Sequence, residues 1–293
     1  MSFPTIRQLD KKLYLISLSP PLPGFDQFIG VWLHTGPPAL LVDVGPSATS
    51  DALLRALADL GIRHLDYLLL THIHLDHAGS IGEIAAAFPQ AAIVAHAQGL
   101  PHLAQPDRLW QSSRKALGRT AEAYGAMRAV APHRLVDATA LDVPGIQVIP
   151  TPGHAPLHIS YTIGDSLFAG EAGGVCLAGK RPEPYMRPAT PPRFLLEVTL
   201  ESLDRLIIRR PQKIVYSHFG FFSEAETRLR MHRCQLLLWQ RMIGTVLVDA
   251  APEDWLQVGL DRLLQNDSHL VAINAMDAQA RAREEGFLRN SIR

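Results

Sequence analysis

One stretch constrains this chain more than any other: Leu68-Leu69-Leu70-Thr71-His72-Ile73-His74-Leu75-Asp76-His77-Ala78-Gly79. An apolar run ends, and four metal-capable side chains follow within six residues. His72 and His74 are two apart, so in extended chain both point to one side. Asp76 and His77 fall where the chain turns toward a helix, because Ala78-Gly79-Ser80 precedes an apolar-periodic stretch. Three imidazoles and a carboxylate crowded into a core would each need a hydrogen-bond partner. A cation satisfies all of them at once, so a metal site is expected here. The alternative is a solvated, histidine-rich turn, and it leaves unexplained the strand-like residues 67–70 that feed it.

The rest of the chain supplies a scaffold for such a site. Strand-like segments at 5–17, 28–33 and 39–44 read as a meander, interrupted by a Pro-rich loop at 19–25. Residues 47–62 carry Leu53, Leu54, Leu57 and Leu60 at helical spacing. A strand at 67–70, a helix at 81–88 and a strand at 92–95 follow. Residues 106–128 read as helical, and strands return at 134–136, 146–150, 158–163 and 166–169. The segment 171–193 holds five prolines and reads as irregular. A helix at 194–209 and a strand at 213–216 come next. Beyond Phe222 the pattern is helical only, over 223–248, 251–266 and 268–289. The expectation is an α/β domain over 1–221 and a helical C-terminal extension over 222–293.

Composition narrows the function classes. With 293 residues, 47% of them hydrophobic, the chain can bury a large core. Lys+Arg and Asp+Glu are both 28, so no basic excess points to nucleic acid. Cys176 and Cys234 form no disulfide framework and no CxxC pair. No apolar run reaches the roughly 18–20 residues of a membrane span, and residues 1–12 have no apolar signal core. A cytoplasmic protein is expected, with no nucleic-acid and no membrane partner.

The stretch Thr71-His72-Ile73-His74-Leu75-Asp76-His77 resembles the HxHxDH signature of the metallo-β-lactamase fold superfamily. Thr151-Pro152-Gly153-His154 resembles its second motif, and Leu167-Phe168-Ala169-Gly170-Glu171 stands in the place of its third. Tyr216-Ser217-His218-Phe219-Gly220 is similar to its last, and Val42-Asp43-Val44-Gly45 to its early strand-end aspartate. The five motifs come in order and span about residues 10–221. The resemblance implies a four-layer αββα sandwich with two divalent metal ions, zinc or else iron or manganese. It implies that His72, His74 and His154 hold one ion and Asp76, His77 and His218 the other. Glu171 stands where the superfamily usually has a bridging Asp, sometimes Cys; one methylene longer, it either bridges the two ions or hydrogen-bonds a metal water or a loop amide and leaves the site mononuclear or weakly dinuclear. A hydroxide shared by the metals is then the nucleophile, and Asp76 both ligates and orients it. Asp43 and His158 stand behind the ligands as supporting residues.

The resemblance implies a metal-dependent hydrolase acting on an ester-like bond in a small molecule: a thioester, a lactone or a phosphoester. Two rival classes remain: a single-iron enzyme like the persulfide dioxygenases, and a non-catalytic metal-binding member of the fold. Residues 173–193 read as a stiff lid that grips an anionic or amphipathic substrate through Lys180, Arg181, Tyr185, Arg187 and Arg193, or as an Arg-decorated surface loop. His96 and His102 line the site or serve structure. Cys176 reads as a buried thiol. Leu236, Leu237, Leu238 and Trp239 offer apolar surface to the sandwich or to a second copy, so a homodimer through the C-terminal helices is expected.

Overall fold

Short alternating strands joined by tight turns pair with their neighbours, and strands separated by a helix pair in parallel. Both rules operate here. The computed structural model describes residues 4–177 and 184–293. It divides into two compact units, Met1–Pro150 with Leu157–Gly164, and Thr151–Pro156 with Asp165–Arg293.

In the first unit, β1 (Thr5–Asp10), β2 (Leu13–Leu18), β3 (Ile29–His34) and β4 (Leu40–Val42) form an antiparallel meander. Helix α1 (Ser50–Asp59) crosses over to β5 (Tyr67–Leu69), which lies parallel to β4. Two short helices, α2 (Leu75–Ala78) and α3 (Ile81–Ala87), lead to β6 (Ala92–Ala95). After α4 (Leu100–Ala104), α5 (Asp107–Leu117) and α6 (Arg119–Tyr124), β7 (Leu135–Asp137) completes a seven-stranded sheet in sequence order. Strands β8 (Ile146–Pro150) and β9 (Ile159–Ile163) pair antiparallel. In the parallel part Val42, Leu69 and Val94 lie in register. The chain therefore leaves β4, β5 and β6 at one edge, at the carboxyl ends where α/β sheets place their chemistry.

In the second unit β10 (Ser166–Gly170) is followed by a ribbon of β11 (Val175–Leu177) and β12 (Tyr185–Arg187). Helix α7 (Leu196–Ile208) crosses to β13 (Lys213–Tyr216), parallel to β10, and β14 (Phe221–Ser223) folds back on β13. Then come α8 (Ala225–Asp249), α9 (Trp255–Asn266), a 3-10 run Ser268–Ala275 and α10 (Ala278–Ile292). Tyr185 of β12 shares one buried cluster with Trp239, Leu260, Leu263, Leu270, Ile273, Leu288 and Ile292 of these helices.

The mixed α/β class and the helical C-terminal segment are as expected. Two expectations need correction. The segment 171–193 is not irregular throughout, since Val175, Cys176 and Leu177 pair with Arg187, Met186 and Tyr185. Lys180, Arg181 and Pro182 of that segment lie outside the described residues. The third C-terminal helix is broken: Asp277 accepts from the amides of Gln279 and Ala280 and starts α10 afresh. The C-terminal helices share their core with β12. Leu236 and Trp239 are buried within their own unit. Among the described residues no helix is long and apolar enough to cross a membrane.

Candidate metal centre

The side chains able to hold a metal ion are His72, His74, Asp76 and His77 in the first unit, and His154, Glu171 and His218 in the second. Each half has its own support.

In the first unit the support is Asp43. It follows β4 directly, with a left-handed backbone (φ 56), and its amide donates to Leu69 O at 2.9 Å. A non-glycine residue held there carries strain of about 1–3 kcal/mol. Its carboxylate offsets that strain. Asp43 Oδ1 accepts from the Thr71 amide at 2.8 Å, and the Thr71 hydroxyl lies 3.0 and 2.9 Å from its two oxygens. His77 Nδ1 stands 2.9 Å from Asp43 Oδ2, and a carboxylate accepts, so this nitrogen carries the proton. The Thr71 hydroxyl proton goes to Asp43. Its oxygen then accepts from His72 Nδ1 at 3.0 Å. One buried aspartate thereby sets the tautomers of two histidines, and in the neutral rings both Nε2 atoms keep a lone pair. His72 Nε2 faces His74 Nδ1 at 2.9 Å, and His77 Nε2 lies 3.6 Å from Asp76 Oδ2. The His158 ring, 1% exposed, sits 5.1 Å from the His72 ring.

The turn that carries these groups is clasped by the segment after Asp43. Val44 N donates to His77 O at 2.8 Å, Ser80 N to Gly45 O at 2.9 Å, and Ser80 Oγ to Pro46 O at 2.7 Å. Gly79 makes the approach possible. A Cβ there would stand 2.7 Å from Ser47 N and 2.8 Å from the Pro46 Cα.

In the second unit, His154 Nδ1 donates to Ala189 O at 3.0 Å, which leaves its Nε2 lone pair 2.7 Å from Glu171 Oε2. His218 Nε2 lies 3.4 Å from Glu171 Oε1. One carboxylate thus spans two histidines. The segment before His154 is pinned to α7: Leu195 N donates to Gly153 O at 3.1 Å and Ser202 Oγ to Pro152 O at 2.7 Å. Gly153 has φ 137, and a Cβ on it would stand 2.7 Å from the Thr199 Cα. Before Glu171, β10 shifts register between Phe168 and Gly170, and Gly170 has φ 58. Phe219, next to His218, also has a left-handed backbone (φ 59).

The donor set fits a divalent cation. Buried imidazole lone pairs facing one another or a carboxylate repel unless a proton or a metal lies between. Histidines whose far nitrogen is committed to a fixed acceptor are built as ligands are.

Two expected substrate contacts, Tyr185 and Arg187, lie in the interior of the second unit. Tyr185 is 1% and Arg187 4% exposed, and Arg187 Nε donates to Glu284 Oε2 at 2.5 Å. Both belong to the interior of the second unit, whose apolar cluster closes over β12, and neither is presented by a lid. Arg193 is exposed. His96 accepts from the Gln98 amide and so serves its turn, and His102 is half-buried on α4. The Cys176 thiol is buried, and burial pushes it up to about 12. Thr71, Ala189 and Glu284 were not singled out from the sequence. Thr71 stands inside the first motif and could have been; the other two carry no local signal.

A family model described as the metallo-beta-lactamase superfamily matches residues 31–218. A metallo-beta-lactamase fold-containing protein of Sulfurisphaera tokodaii is 28% identical over 198 residues, 63% of this chain and 69% of its own length. A hydroxyacylglutathione hydrolase of Stenotrophomonas maltophilia is 28% identical over 147 residues, 50% of this chain and 46% of its own. A crystal structure of an archaeal metallo-beta-lactamase superfamily protein from Sulfolobus tokodaii superposes with a TM-score of 0.65 and 26% identity, covering 78% of this chain and 87% of that one. A metallo-beta-lactamase family protein of Thermus thermophilus shares the fold over 95% of both chains, with a TM-score of 0.61 and 24% identity.

Proposed function

Since this chain belongs to the metallo-beta-lactamase superfamily, we propose that it is a metal-dependent hydrolase that cleaves an ester-like bond, foremost a thioester, in a small molecule. The observation that carries this reading is the commitment of the outer nitrogens of His72, His77 and His154 to Thr71, Asp43 and Ala189. That leaves Nε2 of each ring as the nitrogen able to ligate a cation. His72, His74 and His154 would hold one ion, and Asp76, His77 and His218 a second. Glu171 would serve both, a role supported by its two oxygens, directed at His154 and His218. Divalent ions in such a site, zinc foremost, supply Lewis acidity and a water that is nucleophilic at neutral pH. Asp76, whose side chain is 19% exposed while His77 is buried, orients that water and takes its proton. The thioester preference leans on the hydroxyacylglutathione hydrolases among the relatives.

The test is elemental analysis of the purified chain, paired with thioester, lactone and phosphodiester substrates. Two zinc ions per chain and thioester hydrolysis are expected. His72→Ala should lower the rate at least a hundredfold. One iron per chain with sulfur-dependent oxygen uptake would replace this reading with an oxidoreductase. Unchanged hydrolysis in His72→Ala would end it.

A further inference from the structure

We propose that Glu284, on α10, is a positioning residue for the metal ligand His154, acting through Arg187 and the segment that Arg187 anchors; this rests on the metal centre proposed above. All of these residues lie in the second unit. Glu284 is fully buried, and Arg187 nearly so. Arg187 Nε donates to Glu284 Oε2 at 2.5 Å, and its Nη1 to Pro188 O at 3.1 Å. Arg283 Nε donates to the other Glu284 oxygen at 2.7 Å. The Phe287 ring, one turn along α10, lies 4.2 Å from the Arg187 guanidinium carbon. Three residues beyond Arg187, the Thr190 hydroxyl meets the Ser291 hydroxyl of the same helix. Residues 187–190 are thus tied to α10 at both ends. Between the ties, Ala189 O receives the His154 Nδ1 proton. The orientation of the His154 ring is therefore set by α10.

A buried guanidinium requires an anionic partner. Burial works against the charge of Arg187, and Glu284 foremost among its neighbours offsets it. With Glu284 neutral the guanidinium loses the partner that fixes it, and residues 187–190, which present the Ala189 carbonyl to His154, lose that anchor.

Glu284→Gln keeps the shape and removes the charge. Zinc affinity of the full chain is read by competition with a chromophoric chelator, alongside the cobalt(II) absorption spectrum and the urea midpoint. The zinc dissociation constant should rise at least tenfold and the cobalt spectrum should shift, with Glu284→Asp recovering part of both. If Glu284→Gln unfolds, the pair Arg187→Met with Glu284→Leu decides, because removing both charges leaves no uncompensated ion. That pair should fold and still bind zinc at least tenfold more weakly than the parent, since residues 187–190 have lost their anchor. Parent-like zinc affinity and cobalt spectrum in a folded variant of either kind overturn the proposal while the metal centre stands. A parent chain that takes up no zinc overturns the metal-centre reading itself.

Discussion

At the scale of the residue, Asp43 does the most with the fewest atoms. It accepts from the Thr71 amide, the Thr71 hydroxyl and His77 Nδ1 while its own backbone is left-handed. Asn tolerates that backbone, but its amide offers one acceptor and a donor face that opposes the His77 proton. Asp43→Asn should therefore fold and bind zinc about 10–100-fold more weakly, measured by chelator competition; an unchanged affinity would remove Asp43 from the support of the site. His232 titrates by a different logic. Burial pushes it down to about 4, against 6.5 in an unfolded chain. Between those values the unfolded chain binds the proton and the folded one does not, so stability falls as pH falls from 6.5 to 4. The gap is worth about 3 kcal/mol. Urea unfolding of the parent and His232→Leu across that window should show the parent losing about that much more; parallel losses would contradict it. Asp43 and the HxHxDH residues were legible in the sequence, because their spacing and strand-end position are local facts. Glu284 was not, since its partner Arg187 lies 97 residues away and nothing near either residue announces the other.

At the scale of the element, the turn from β5 into α2 and the turn into α7 use the same device. A glycine without a Cβ lets a second backbone segment close on the turn that carries a histidine. Gly79→Ala should cost at least about 2 kcal/mol, because backbone atoms of Pro46 and Ser47 would have to give way. Gly153→Ala should do the same against α7. Thermal denaturation checks both, and a loss below about 0.5 kcal/mol would show that the loops adapt freely. The strand order and most helix limits could be read from period and turn residues. The ribbon of β11 and β12 could not, because prolines at 182, 184, 188, 191 and 192 read as loop. Proline blocks pairing only where its own amide is needed, and among the described residues Pro184, Pro188, Pro191 and Pro192 occupy no position paired in that ribbon. The break before α10 was missed for a related reason. Apolar spacing runs through it, and only the Asp277 cap marks the new start.

At the scale of the whole molecule, the C-terminal helices are structural members of the second unit. Tyr185 packs among them, and Arg187 finds its counter-ion there. A chain cut after residue 221 should therefore lose more than an appendage. It exposes the apolar cluster and leaves a buried guanidinium without Glu284, a loss of about 3–5 kcal/mol from the ion pair alone. Expression of residues 1–221 should yield insoluble or unfolded protein by circular dichroism. A folded, zinc-binding fragment would show that the helices are dispensable. The change in pattern from strands to helices after Phe222 was legible in the sequence. The packing of Tyr185 among those helices was not, because it depends on partners distant along the chain.

The 97 residues between Arg187 and Glu284 also set an order in time. On a ribosome adding about 5–20 residues per second, Arg187 emerges roughly 5–20 s before its counter-ion. During that interval the nascent chain holds the complete first histidine cluster, while the anchor for the second is still being translated. His154, Glu171 and His218 have all been made before Glu284, so what α10 adds last is the tie that holds the Ala189 carbonyl against His154.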